Sequence, residues 1–407
     1  MRRALPVLVL FSATVVATAA AFATPASQPP VVVHEWGTFT TVAGEDGQAI
    51  NWLPLGGPTD LPCFVHHFKN PLFKVLPGGE QEGPVSYEQA RSTLVGKVRM
   101  ETPVLYFYSP EDARVSVNVR FPQGLMTEWY PTATVSQPFV VPSVLDDPGV
   151  EGAIDWPDVH VTPSRRVSFP TGPGQSHYYA ARATDAAPLW VNGQDEKFLF
   201  YRGVASFPVP ITARFNTDGT TTVTNLGTEP IPAVILFENR AGKLSYTRHG
   251  ALATSATIDR PTAASSFKAL RADLVSMLVA TGLYAKEADA MVETWRDSWF
   301  EEGTRVFYVV PPRAVDAILP LTISPAPTAV ARAFVGRMEI VTPESILLIQ
   351  TALASNDTAA LERHGRFLGP IADRLAARTS SVSDRSRLRA VTNTVFANYV
   401  SRFGTCQ

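Results

Sequence analysis

Apolar and polar residues alternate through Val115-Ser116-Val117-Asn118-Val119-Arg120-Phe121, the period-two pattern of a strand with one buried face. A denser apolar and aromatic run covers residues 98–108. Shorter strand-like stretches fall at 31–42, 61–68, 177–182, 198–201, 211–215, 220–224, 232–238 and 243–248. Asp218-Gly219, between two of them, is a tight hairpin signal. Short strands separated by Pro and Gly turns predict an antiparallel β-sandwich.

Beyond residue 260 the period changes. Phe267, Leu270, Leu274, Met277 and Leu278 form a helical stripe that Gly282 terminates. Ala288, Met291, Val292, Trp295 and Trp299 continue the pattern in a second helix. Residues 305–310 then read as strand, 312–319 as a short helix, and 321–323 and 330–340 as strands. Thr342-Pro343 is an N-cap followed by proline at the first helical position, which predicts a helix to residue 354. The rest is helical to residue 403, interrupted only by Pro370. The expected fold is mainly β, then α+β. A Pro/Gly-rich antiparallel β-sandwich region spans 24–260, and a mixed α/β region ending in helices spans 261–407.

Composition sharpens this division. Of 34 prolines, 25 lie within 24–260 and eight follow, as short strands and then helices require. Charge divides too, at net −6 for 24–260 and net +2 for 261–407. The whole chain carries only −2, which argues against a nucleic-acid binder. Met1-Arg2-Arg3, an apolar run to Ala20 and Ala21-Phe22-Ala23 make the three-part pattern of a signal peptide over 1–23. The mature chain is therefore expected in the periplasm or outside the cell. No later stretch reaches the length of a spanning helix. In that oxidising setting the two cysteines, Cys63 and Cys406, are candidates for a disulfide.

Two motifs carry a family resemblance. His34-Glu35-Trp36-Gly37-Thr38-Phe39-Thr40, continuing to Ala43-Gly44-Glu45-Asp46-Gly47, resembles the opening of a family of uncharacterised secreted bacterial proteins. Thr294-Trp295-Arg296-Asp297-Ser298-Trp299-Phe300-Glu301-Glu302-Gly303, followed by Arg305-Val306-Phe307-Tyr308, resembles its second-half signature. The resemblance implies one architecture across both halves. It implies no activity and transfers no functional residue.

The residues that could carry chemistry fall into three groups. His34 with His66 or His67, joined by His160 or His177, could converge across strands on zinc or copper. Strand alternation places His34, Trp36 and Thr38 on one face and Glu35 on the other, so His34-Glu35 is not a ready metal pair. Asp289, Glu293, Asp297 and Glu301 recur every four residues, one face of the second helix if it runs that far. Like charges at that spacing oppose a helix unless compensated, and Arg296 is the local candidate. Two such acids in a cleft could act as general acid and base, with Glu293 and Asp297 foremost.

The third group pairs tryptophans with acids. Five of seven Trp have an acid within two positions, and Glu128-Trp129 and Asp155-Trp156 lie near turns, where flat rings beside carboxylates suit sugars. No Gly-x-Ser-x-Gly elbow and no Walker or Rossmann loop occurs. The leading expectation is a non-catalytic envelope or extracellular binding protein. Its ligand would be glycan-type, on Trp129, Trp156, Glu128 and Asp155, and its partner an envelope glycan or another exported protein. The alternatives are a secreted hydrolase, metal-assisted or acid–base, and a structural or assembly protein docked through its basic C-terminal helices. No cofactor is called for apart from the divalent metal of the hydrolase reading.

Overall fold

A computed structural model describes residues 29–56, 61–68, 94–136, 145, 150–173 and 176–403. The expected signal peptide and Cys406 lie outside the described residues. No described cysteine is free, and Cys63 is one half of a disulfide. Its expected pairing with Cys406 therefore falls outside what is described.

The strands run in chain order as β1 (Val32–Ala43), β2 (His66–His67), β3 (Val98–Tyr108), β4 (Ala113–Pro122), β5 (Gly124–Tyr130) and β6 (Thr134–Ser136). They continue with β7 (Glu151–Val161), β8 (Leu189–Val191), β9 (Gln194–Glu196), β10 (Leu199–Ala205), β11 (Ile211–Phe215) and β12 (Thr221–Asn225). Then come β13 (Val234–Arg240), β14 (Lys243–His249), β15 (Ser255–Ile258), β16 (Gly303–Val309), β17 (Leu321–Ser324) and β18 (Ala329–Ile340). The helices are α1 (Phe267–Val279), α2 (Ala285–Thr294), α3 (Arg296–Trp299), α4 (Pro312–Ile318), α5 (Pro343–Ser355), α6 (Thr358–Glu362), α7 (Leu368–Arg378) and α8 (Val382–Phe403). The protein is strand-rich, with its helices gathered toward the C-terminal end, as the hydrophobic pattern predicts.

Among the described residues nine strands form the main sheet, in the order β14-β13-β16-β18-β1-β3-β10-β5-β2. Its central strand, β1, runs parallel to β18 and antiparallel to β3. The sheet thus interleaves strands from both sides of residue 260. One face shares an apolar core with a six-stranded sheet (β17-β4-β7-β8-β9, with β6 on β7) and a three-stranded sheet (β11-β12-β15). The other face carries Trp36, Val104, Tyr106, Phe200 and Phe307, packed on α1, α2 and α3. A third core joins Val42 and Trp52 to α5, α7 and α8. With both faces covered, β1 and β3 are buried along nearly their whole length instead of alternating.

Local chemistry places the element ends. Ser266 caps α1 through the Ala269 N–H, and Gly282, at φ +105°, supplies the left-handed residue that follows it. Thr342 accepts from the Ser345 N–H and Pro343 opens α5, as the sequence predicts.

Three expectations are corrected. Residues 177–182 form a 3₁₀ turn, not a strand, because the Ser176 side chain caps it at Tyr178. Only His66–His67 of the 61–68 stretch pairs in a sheet. The second helix ends at Thr294, Trp295 adopts φ −102° and ψ 7°, and α3 follows separately. That break relieves the run of like charges and lets Trp295 and Trp299 both bury.

Close approach at Gly336 shows how tightly the sheet packs. A Cβ there would stand 1.9 Å from the buried Tyr308 ring. Gly336→Ala is expected to lower stability by about 1–3 kcal/mol through overpacking. Urea unfolding checks this, and an unchanged midpoint would refute the ring-on-backbone contact.

Candidate functional site

Most residues singled out from the sequence are drawn into separate local pairs. His34 is buried and lies on the helix-covered face. Its Nδ1 is 2.7 Å from Glu287 Oε2. Tyr108 Oη donates to Glu287 Oε1 at 2.7 Å, and the Tyr284 N–H donates to Oε2 at 2.8 Å. Glu287 thereby closes half of a capping box at the start of α2 and ties that helix to β1 and β3. Glu35 points the other way, as alternation requires. Its carboxylate accepts from Arg332 Nε at 2.6 Å and from Tyr201 Oη.

His66 Nε2 lies 2.9 Å from Thr132 Oγ1, and His67 Nδ1 lies 3.1 Å from the Phe68 carbonyl. His160 pairs with Asp158 and Arg114, and His177 with Asp297. Among the described residues no three His, Cys, Asp or Glu side chains are grouped to hold a metal ion. The histidines the sequence offered as ligands are thus not brought together there.

The helix break also disperses the acidic row. Asp289 bonds Arg271 at 2.7 Å, Glu293 sits 3.3 Å from Arg296 and 3.8 Å from Arg271, and Asp297 is 2.8 Å from His177. Arg296 compensates as expected, and Arg271 on α1 adds a second cation. Only Glu301 turns inward. Glu293 and Asp297 stand in separate surface ion pairs instead of facing one another.

Neither tryptophan pair forms an exposed acid–aromatic platform. Trp156 is fully buried in the inter-sheet core, and its Nε1 donates to the Pro131 carbonyl at 3.0 Å. It has no free face for a sugar ring. Trp129 is half-buried against the same core, whereas Glu128 is buried and accepts from Thr127 Oγ1. Asp155 is half-exposed and sits across from Asn118 and Thr134 in the six-stranded sheet.

A cavity of about 630 Å³ opens beside the His34–Glu287–Tyr108 chain. Its wall combines Tyr108, Ser109, Thr184, Asp185 and Lys197 with Val32 and several prolines. Thr184 is 9% exposed, and its Oγ1 has no hydrogen-bond partner among the described residues. Burial pushes the Lys197 ammonium below its ordinary pKa, opposed by Asp185 and Glu196. Asp185 bonds Lys286 at 2.6 Å, but both side chains are largely exposed, so that pair is weakly held. No periodicity or spacing singles out these residues, because they meet only through folding.

A second feature is a charged layer inside the fold. Where β1 pairs with β3, Gly37 stands opposite Thr102-Pro103, and Thr102 takes φ +38°. This bulge inserts one residue and turns Arg99 and Glu101 onto the face that holds Val104 and Tyr106. Arg305, Arg337 and Glu339 share that face from β16 and β18, fully buried. Arg305 Nε donates to Glu339 Oε2 at 2.8 Å and its two other nitrogens to the Trp299 and Glu302 carbonyls. Arg337 Nη1 donates to the Ser298 carbonyl, and Arg366 Nη1 to Glu101 Oε1. The guanidinium groups of Arg305 and Arg337 also lie over the Phe367 ring.

Electrostatics divides the acids of this layer. Burial would raise Glu101, but Arg366, Arg337 and Arg99 outweigh it and hold the carboxyl below its usual range. For Glu301 burial wins over Arg366, Arg337 and Arg305 and raises it. Glu339 is pushed up to about 7 by burial, against Arg305. His364, just before Gly365, is pushed down to about 4 by burial and by Arg305, Arg240 and Arg363. The layer pins the sheet to α3 and to the turn before α7 by charge-assisted bonds. The signal for it was present as charges inside apolar strands, Arg99 and Glu101 in β3 and Arg337 and Glu339 in β18.

No family model matches the chain, and no curated protein matches it. Among the described residues no helix is long and apolar enough to cross a membrane.

Proposed function

We propose that the protein is an exported, non-catalytic binding protein for a glycan-type ligand, held in the cavity of about 630 Å³. The observation that carries this reading is the Thr184 hydroxyl, buried and without a partner among the described residues, on the wall shared by Asp185, Lys197 and the Tyr108 ring. Ligand hydroxyls both donate and accept. Such a ligand is matched by an ammonium that only donates, a carboxylate that only accepts and a hydroxyl that does either. The aromatic ring offers an apolar surface beside them. The volume lies within the roughly 300–1,000 Å³ usual for small-molecule sites. Export rests on the N-terminal leader pattern.

Calorimetric titration with soluble oligosaccharides of two to four rings tests the reading. Thr184→Val keeps the shape and removes one hydrogen bond, so affinity should fall about tenfold. Lys197→Met should weaken binding further, while Trp129→Ala leaves it unchanged. The proposal fails if no oligosaccharide binds, or if the Thr184 and Lys197 variants bind like the parent.

A further inference from the structure

A separate cleft of about 330 Å³ lies between the turn after β13, the first turns of α5 and the segment joining α6 to the 3₁₀ turn before α7. It shares no lining residue with the larger cavity. Its two ends differ in chemistry. At the polar end, the half-exposed Arg363 has Glu302 as its nearest acid among the described residues, and only at 3.8 Å. Both Glu302 oxygens already accept from the Ala241 N–H, each at 2.8 Å. Arg240 is anchored through its terminal nitrogens to Glu238, Thr304, Thr342 and Ser345, and its Nε has no partner among the described residues.

His364 completes this end. Its side chain is 3% exposed, and its Nδ1 has no partner among the described residues. With its pKa pushed down to about 4 the ring is neutral at pH 7 and can donate from one nitrogen. On the opposite wall Arg260 is held by Glu238 and Glu344. At the apolar end Leu347 is 62% and Leu348 43% exposed, while their neighbours Ile346 and Ile349 turn into the core. Two adjacent exposed leucines beside a loosely paired guanidinium are an unsatisfied arrangement on both counts.

We infer that this cleft binds a single-chain amphiphilic carboxylate, its head on Arg363, Arg240 Nε and His364 and its tail across Leu347 and Leu348. One loosely held guanidinium suits a single negative charge, and the leucines supply the apolar contact that a small inorganic anion would leave unused. The inference stands on its own residues and does not depend on the glycan reading.

Titration calorimetry with decanoate, kept below its micelle concentration, tests it. Decanoate should bind one to one, and acetate at least tenfold more weakly, because it lacks the tail. Arg363→Gln and Leu347→Ser alter exposed side chains, so both variants should keep the parent's circular dichroism. Each should lose decanoate affinity by tenfold or more. Co-sedimentation with vesicles containing an anionic phospholipid separates a free acid from a membrane surface. Pelleting with vesicles in the absence of decanoate binding would overturn the inference. So would acetate binding as tightly as decanoate, or both variants binding like the parent.

Discussion

Glu339→Gln should match the parent in stability near pH 4.5 and exceed it increasingly above, while His364→Gln should show the opposite trend. The sign follows from proton linkage. Glu339 has its folded pKa raised from 4.5 to about 7, so the folded state holds the extra proton between those values. Its contribution is complete below 4.5 and is lost as pH rises through about 7. His364 has its folded pKa lowered from 6.5 to about 4, so the unfolded state holds the extra proton. Its contribution is complete above 6.5 and is lost as pH falls toward 4.

The two slopes oppose each other between pH 4.5 and 6.5, and each is worth about 3 kcal/mol. In the parent these two contributions therefore largely offset each other across that window. Glu301, also raised by burial, adds to the Glu339 side. In Glu339→Gln the neutral amide still accepts from Arg305 Nε, and stability should climb with pH to 6.5. In His364→Gln it should fall with pH up to 7. Urea unfolding at half-unit pH steps measures all three curves. Parallel curves would sink the account of the buried charge layer.

Trp156→Ala should cost about 3–5 kcal/mol, the range for truncating a large buried aromatic side chain. Trp156 is fully buried between the nine-stranded and six-stranded sheets, and its loss also leaves the Pro131 carbonyl unpaired. Trp129, only half-buried, should cost less. The contrast separates a core role from a ligand-stacking role at Trp156. A stability loss under 1 kcal/mol would contradict its burial. Chemical denaturation of both variants is sufficient to decide.

The two tryptophans also show where sequence reading stops. Glu128-Trp129 and Asp155-Trp156 look alike as dipeptides beside turns. Trp156 falls on the covered face of β7 and Trp129 only partly so, a difference set by which sheet packs over each strand. The acidic row is dispersed for a related reason. Its spacing assumes an unbroken helix, and the preference of Trp295 and Trp299 for the core ended that helix at Thr294. For His34 and His66, strand alternation gives the face but not the neighbour, and partners from distant segments, Glu287 and Thr132, hold them apart.

By itself the sequence determined the local terms. Alternation set β4, the apolar stripes set α1 and the buried side of α2, and Thr342-Pro343 set the start of α5. Each depends on residues within a few positions of one another, so the order of the chain carries the information. Tertiary structure alone decided the rest. It placed β18 parallel beside β1 across nearly 300 residues, and it buried Arg305, Arg337 and Glu339. Through the bulge at Thr102-Pro103 it also turned Arg99 and Glu101 inward. These outcomes depend on which surfaces meet. A one-residue shift in register reverses which face every following side chain occupies, and no local pattern records that choice.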